Sequence, residues 1–182
     1  MPQFIAHSPL VEIWGGSLLG IVEGLVQAGA PQDHILALLA KGGILDPDRE
    51  GWYPQQGLLD TLRTAGEQFG EGALRSAGRA IPRHSRFPPE VDTLDRALTT
   101  LDLAYQVNHR GGRIGHYACK RLGPRKVEIY CDNPYGCELD LGILETLLEH
   151  HGAVGKEVRV AHAPGTSCRK KGHRACVYHV RW

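Results

Sequence analysis

Three cysteines toward the C-terminal end have the side chains best suited to chemistry: Cys137, then Cys168 and Cys176 with seven residues between them. Thiolates are soft, strong zinc ligands, and two on either side of a tight turn can reach one ion. The turn reads CRKKGHRAC. Gly172 lets the chain reverse, and the surrounding lysines and arginines favour the thiolate form. The spacing is longer than the usual knuckle. The residues alone therefore also allow a disulfide or reduced thiols packed in a core.

Other polar groups offer less. His109, Arg110 and Arg113 surround a glycine turn whose amides could cradle an anion, or which simply leads into a strand. Glu149, His150 and His151 form no metal motif, and histidines near a helix C-terminus suit its negative dipole. The basic turn is too narrow for nucleic acid, which asks for a wider basic face with aromatic platforms. No nucleophile elbow, Walker loop or dinucleotide fingerprint is present.

These residues must be positioned by two kinds of element. Up to about residue 110 the apolar spacing is helical. Leu18, Leu19, Val22, Leu25 and Val26 mark one helix, ended by Gly29 and Pro31. A second runs from Pro31, with Asp33 near its start and a stop at Gly42-Gly43. DPDREGWYP reads as a turn-rich connector, and Pro54 opens a helix carrying Leu58, Leu62, Ala65 and Phe69. The next helix is closed by Pro82. A Pro-rich loop follows, and then Asp92 caps one long helix with Leu94, Leu98, Leu101 and Tyr105 on a face. Beyond it the period changes to two. GRIGHYACKRL and KVEIYC read as strands around a Gly123-Pro124 turn. LGILETLLEHHG is an amphipathic helix ended by Gly152, and KEVRVAHA and ACVYHVRW are two more strands. The expected fold is α+β, an N-terminal helical layer packed on a mostly antiparallel sheet with one helix inserted between strand pairs.

With 182 residues the chain can bury a sizeable core. A formal charge of +1 gives no general pull toward nucleic acid or anionic membrane. No apolar run is long enough to span a bilayer, and the N-terminus does not read as a secretory signal. Five cysteines without a leader point to reduced thiols and a cytoplasmic protein.

The stretch from about Gly112 to Trp182 resembles the 4-vinyl-reductase domain family, which is related to the sensor domains of phenol-responsive activators and distantly to TRAPP subunits. The matching features are the strand–turn–strand, NPYGCELDLG leading into a helix, and the closing strands around CRKKGHRACVYHV. The helices of YPQQGLLDTLRTAGEQFGEGALRSAGRAI look like the helical half preceding that domain. The resemblance divides the chain into a helical portion, 1–110, and a zinc-binding portion, 111–182, forming one unit. It implies a zinc site of three cysteines and a glutamate beside a small-molecule pocket, and a homodimer. The cysteines carry over to Cys137, Cys168 and Cys176. Gly165 stands where the glutamate would be, so the fourth ligand passes to His162 or Cys131, or to water, with His173 and Asp140 less suited.

A small-molecule-binding sensor domain is the function this points to. A buried, mostly apolar pocket would take a hydrophobic or aromatic ligand between helices and sheet, with Leu101 and Tyr105 in its wall. Trp52 and Tyr53 would close it or simply pack. Helical Gly57, Gly66, Gly72 and Gly78, each costing about 1 kcal/mol against Ala, suggest room for such a pocket. A sensor without an output domain needs a downstream signalling protein or its own dimer. An enzyme or carrier acting on a tetrapyrrole or vinyl substrate is the alternative, as is a protein-interaction module, and whether the chain is an enzyme stays open.

Overall fold

A computed structural model describes residues 3–88, 91–151 and 158–182. Two antiparallel sheets and seven α-helices make up the described chain. It opens with a short strand, β1 (Glu12–Trp14), and helices α1 (Gly15–Gln27) and α2 (Gln32–Lys41). Then come β2 (Trp52–Pro54), α3 (Gln55–Phe69) and α4 (Glu71–His84). The helices α5 (Leu94–Thr99) and α6 (Leu101–Val107) lead to β3 (His109–Arg110). The last third is β4 (His116–Gly123), β5 (Lys126–Asp132), α7 (Cys137–His150), β6 (Arg159–His162) and β7 (Cys176–Arg181). The larger sheet has the order β4-β5-β7-β6, with α7 inserted between its two strand pairs. This is the α+β arrangement expected from the change of period.

Alternation builds the larger sheet. Val127, Ile129 and Cys131 point inward from β5, and Cys176, Tyr178 and Val180 point inward from β7, all buried. Their register pairs Cys131 with Cys176 and Ile129 with Tyr178. The apolar stripes of the helices close over this face. Leu18, Ile21 and Leu25 of α1 and Leu58, Leu62 and Ala65 of α3 are buried in the same core.

Several local expectations are corrected. β1, β2 and β3 form a second sheet of order β2-β1-β3, so part of the supposed connector is a strand. The helix after residue 92 is two, broken at Thr100, and its cap is Thr93, whose hydroxyl accepts the Arg96 amide, rather than Asp92. Pro82 does not close α4, which continues to His84. A proline near a helix end forfeits one backbone bond and need not break it. The expected stop at Gly152 and the first residues of the KEVRVAHA strand, Lys156 and Glu157, lie outside the described residues.

The helical glycines serve close packing. α4 crosses α7 so tightly that a β-carbon on Gly78 would lie 2.1 Å from the Leu139 carbonyl oxygen. One on Gly142 would lie 2.1 Å from that of Arg75. Gly57 meets the Gly42 carbonyl in the same way at 2.2 Å, and only Gly72 faces open space among the four helical glycines singled out from the sequence. Two substitutions should separate these roles in urea unfolding. Gly78→Leu should lose about 1–3 kcal/mol or more by overpacking, whereas Gly72→Ala should gain about 0.5–1 kcal/mol. Similar values for both would contradict the close-packing account.

Candidate functional site

Two constellations stand on either side of α7. The first lies where four element ends meet. Cys137 is the first residue of α7, His162 the last of β6 and Cys176 the first of β7. Cys168 precedes a short 3-10 turn, Arg169–Lys171, which Gly172 closes at φ +81°. The one potential ligand atom of each of these four residues lies within 4.8 Å of the others. Cys137 Sγ is 3.3 Å from Cys176 Sγ and 3.7 Å from Cys168 Sγ, and Cys168 Sγ is 3.7 Å from His162 Nε2. The His162 ring rests on Tyr178, with centroids 4.6 Å apart.

The alternatives for a fourth position lie elsewhere. Cys131 is buried but outside the cluster. His173 accepts the Cys168 amide at Nδ1. Asp140 is neither ligand nor cap. It sits inside α7, fully buried and paired with Arg169.

Arg169 belongs to the basic turn, yet its side chain is only 1% exposed. It donates to the Asn133 carbonyl, the Asn133 side-chain oxygen and Asp140 Oδ2. Its amide and Nε also reach Cys176 Sγ, at 3.3 and 3.4 Å. Asp140 collects further donors: Tyr117 Oη at 2.8 Å, Asn133 Nδ2 at 3.0 Å and Tyr178 Oη at 3.1 Å. Burial pushes the Asp140 carboxyl up, and the Arg169 guanidinium and the hydrogen bonds from Asn133 and Tyr117 oppose it. The hydrogen bond with Cys137, together with Arg169, lowers the Cys176 thiol, while that bond and burial push the Cys137 thiol up.

The second constellation is a partly open cavity of about 50 Å³ among α1, α4, α6, α7 and β4. Its wall is mainly apolar, with Ile21, Ile81, Leu101, Leu139 and Ile143. Tyr105, Tyr117, Tyr135 and His109 supply the polar side. They are already committed. Gln55 donates to Tyr135 Oη, which donates to His109 Nε2, and His109 Nδ1 donates to the Tyr105 carbonyl. Burial holds His109 neutral, its pKa lowered to about 4 against the pull of that carbonyl. Tyr105 Oη donates to the Ile114 carbonyl at 2.6 Å.

Of the expected ligand-binding residues, Leu101 and Tyr105 line this cavity. Trp52 and Tyr53 are not among its lining residues. The Arg110 guanidinium lies 4.5 Å from the centroid of the Trp52 ring, and Tyr53 Oη binds Asp48. Tyr135 and Gln55 escape sequence reasoning, because an isolated tyrosine in a turn and a glutamine in a helix carry no spacing signal.

No protein-family model matches the chain, and no curated protein matches it in sequence. Solved structures do share its fold. An H-NOX protein from S. oneidensis in the Fe(II)NO ligation state has a TM-score of 0.69 at 12% identity, covering 93% of this chain and 98% of that one. An oxygen-binding H-NOX domain related to soluble guanylate cyclases has a TM-score of 0.63 at 14% identity, covering 92% and 93%. A structure titled for modulation of haem redox potential by porphyrin distortion has a TM-score of 0.60 at 13% identity, covering 92% and 99%. The chain therefore has the H-NOX fold.

This corrects the resemblance to the 4-vinyl-reductase domain. The features that carried it describe an order of strands and helices that the H-NOX fold also contains. The zinc cofactor it implied is corrected too, since proteins sharing the fold are described with iron and with haem.

Haem is the group named for those proteins, and the residues here do not fit it. Pockets for drug-sized ligands run about 300–1,000 Å³, and a porphyrin needs no less. The cavity offers about 50 Å³. An axial ligand must be a free histidine, thiolate, methionine or tyrosine. His109 has both ring nitrogens engaged, and Tyr105, Tyr117 and Tyr135 donate their hydroxyls to protein acceptors.

The Arg169–Asp140 pair makes a strong prediction. Arg169→Met should cost about 3–5 kcal/mol in urea unfolding, the loss typical of stranding one partner of a buried pair. Arg169→Met with Asp140→Leu should recover much of it. A single-variant loss below about 1 kcal/mol, the range of surface ion pairs, would contradict the burial described.

Proposed function

We propose that the chain is a small-molecule-sensing domain that uses the H-NOX fold without haem. The observation that supports this most is the apolar cavity closed on one side by the Gln55–Tyr135–His109 hydrogen-bond chain. A water needs about 10–15 Å³ of such space, so the cavity suits a molecule of only a few heavy atoms, mostly apolar. A polar end would meet His109 or Tyr135, and Leu101 and Tyr105 would contact the body. The tetrapyrrole alternative asks for far more room. Tyr117 touches both the cavity and Asp140, so occupancy can reach the cysteine cluster through Arg169. A signalling partner, or a second copy of the chain, would read that change.

In the same reading Cys137, His162, Cys168 and Cys176 hold one metal ion and tie the sheet's last two strands to α7. Ligands about 2.3 Å from a tetrahedral centre stand about 3.8 Å apart. Three of the six separations, 3.3 to 3.7 Å, fall just below that edge, and all six are within 4.8 Å. Among the described residues no helix is long and apolar enough to cross a membrane.

Native mass spectrometry with elemental analysis tests both halves. The expected spectrum shows one metal ion per chain and an adduct with a compact apolar ligand drawn from a panel. Ala104→Val, which fills the cavity wall, should abolish the adduct and retain the metal. A metal-free folded chain would refute the metal site. A panel that binds nowhere, or equally well to Ala104→Val, would refute the cavity as the sensing site.

A further inference from the structure

The register of the larger sheet brings like charges together on one face. Lys126 of β5 stands opposite Arg181 of β7, and Arg181 stands opposite Arg159 of β6. Strands lie about 4.7–4.9 Å apart, so three cations form a row roughly 10 Å long. Like charges directly opposite one another are destabilising. Some cations elsewhere have carboxylate partners, among them Arg63, Arg75, Arg86 and Arg110. Among the described residues the side chains of Lys126, Arg159 and Arg181 have none. The adjacent acid, Glu128, lies 3.5 Å from His179.

The row lines a groove of about 210 Å³. Its other walls are Ala161, Pro164 and the histidines 162 and 179, with no carboxylate among the described residues. We propose that this groove binds the phosphate group of a small phosphorylated molecule. A single carboxylate would satisfy one guanidinium fork. Two forks and an ammonium ask for a dianion with oxygens on several sides, which is the chemistry of phosphate. The row is too short, and too close to Glu128, for a polynucleotide, which needs a longer basic stripe with stacking platforms. The groove shares no lining residue with the cavity and meets the cysteine cluster only at His162, so it is a different site from the one proposed for sensing.

Calorimetric titration of the full chain tests this, with inorganic phosphate and with glycerol phosphate as probes. Both should bind saturably, and tighter binding of the ester would identify the organic group as part of the ligand. Arg159→Gln and Arg181→Gln should each weaken phosphate binding about tenfold or more, the loss expected for one charge-assisted partner. Arg63→Gln, on α3, should leave it unchanged. Both groove arginines are exposed, so melting temperatures without phosphate should hold or rise as repulsion is relieved. Absence of saturable binding, or binding indifferent to Arg159→Gln and Arg181→Gln, would overturn the proposal.

Discussion

The buried pair of Asp140 and Arg169 is the constraint on which the C-terminal third depends. Isolated charges in an apolar interior cost several kcal/mol each, and their attraction offsets this only when the remaining donors and acceptors are also met. Here they are. Asp140 receives Tyr117, Asn133 and Tyr178 besides Arg169, and Arg169 also serves the Asn133 carbonyl and Cys176. The pair thereby joins the N-terminal turns of α7 to the turn before β7. Both segments must be in place for either charge to be tolerated, which favours one arrangement of the chain over its alternatives.

The same network places two sites side by side without merging them. Tyr117 has its ring in the cavity wall and its hydroxyl on Asp140. Arg169 holds the other carboxylate oxygen and points two donors at Cys176. A molecule that shifted Tyr117 would disturb a fully satisfied buried group, and such groups do not shift cheaply. The polar wall of the cavity is equally committed. With His109 neutral and bonded at both nitrogens, the wall presents oriented dipoles but no free coordinating atom.

Much of the architecture was legible because period survives in long elements. The switch from helical spacing to alternation near residue 112 marked the change to the large sheet, and Val127, Ile129 and Cys131 fell on its buried face. The small sheet was not legible, since strands of two or three residues carry no period. Thr100 splits a continuous apolar stripe without a glycine or proline to announce it. The structure brings His162 together with the three cysteines, although Cys137 lies far from the other three residues in sequence. Arg169 was hidden for the opposite reason, because a charge in a basic run reads as solvated until its buried partner is known. The 4-vinyl-reductase resemblance misled because order of elements is shared more widely than chemistry. Fold alone does not carry function, and the side chains in the interior decide it.

Those side chains separate this chain from the haem proteins whose fold it shares, and that separation is the central claim. Titration of the purified chain with haemin, followed by visible absorption, tests it directly. The account predicts only weak, non-stoichiometric association with the spectrum of free haemin and, after reduction, the carbon monoxide response of free haem. A one-to-one complex with a shifted Soret band that responds to carbon monoxide would contradict it.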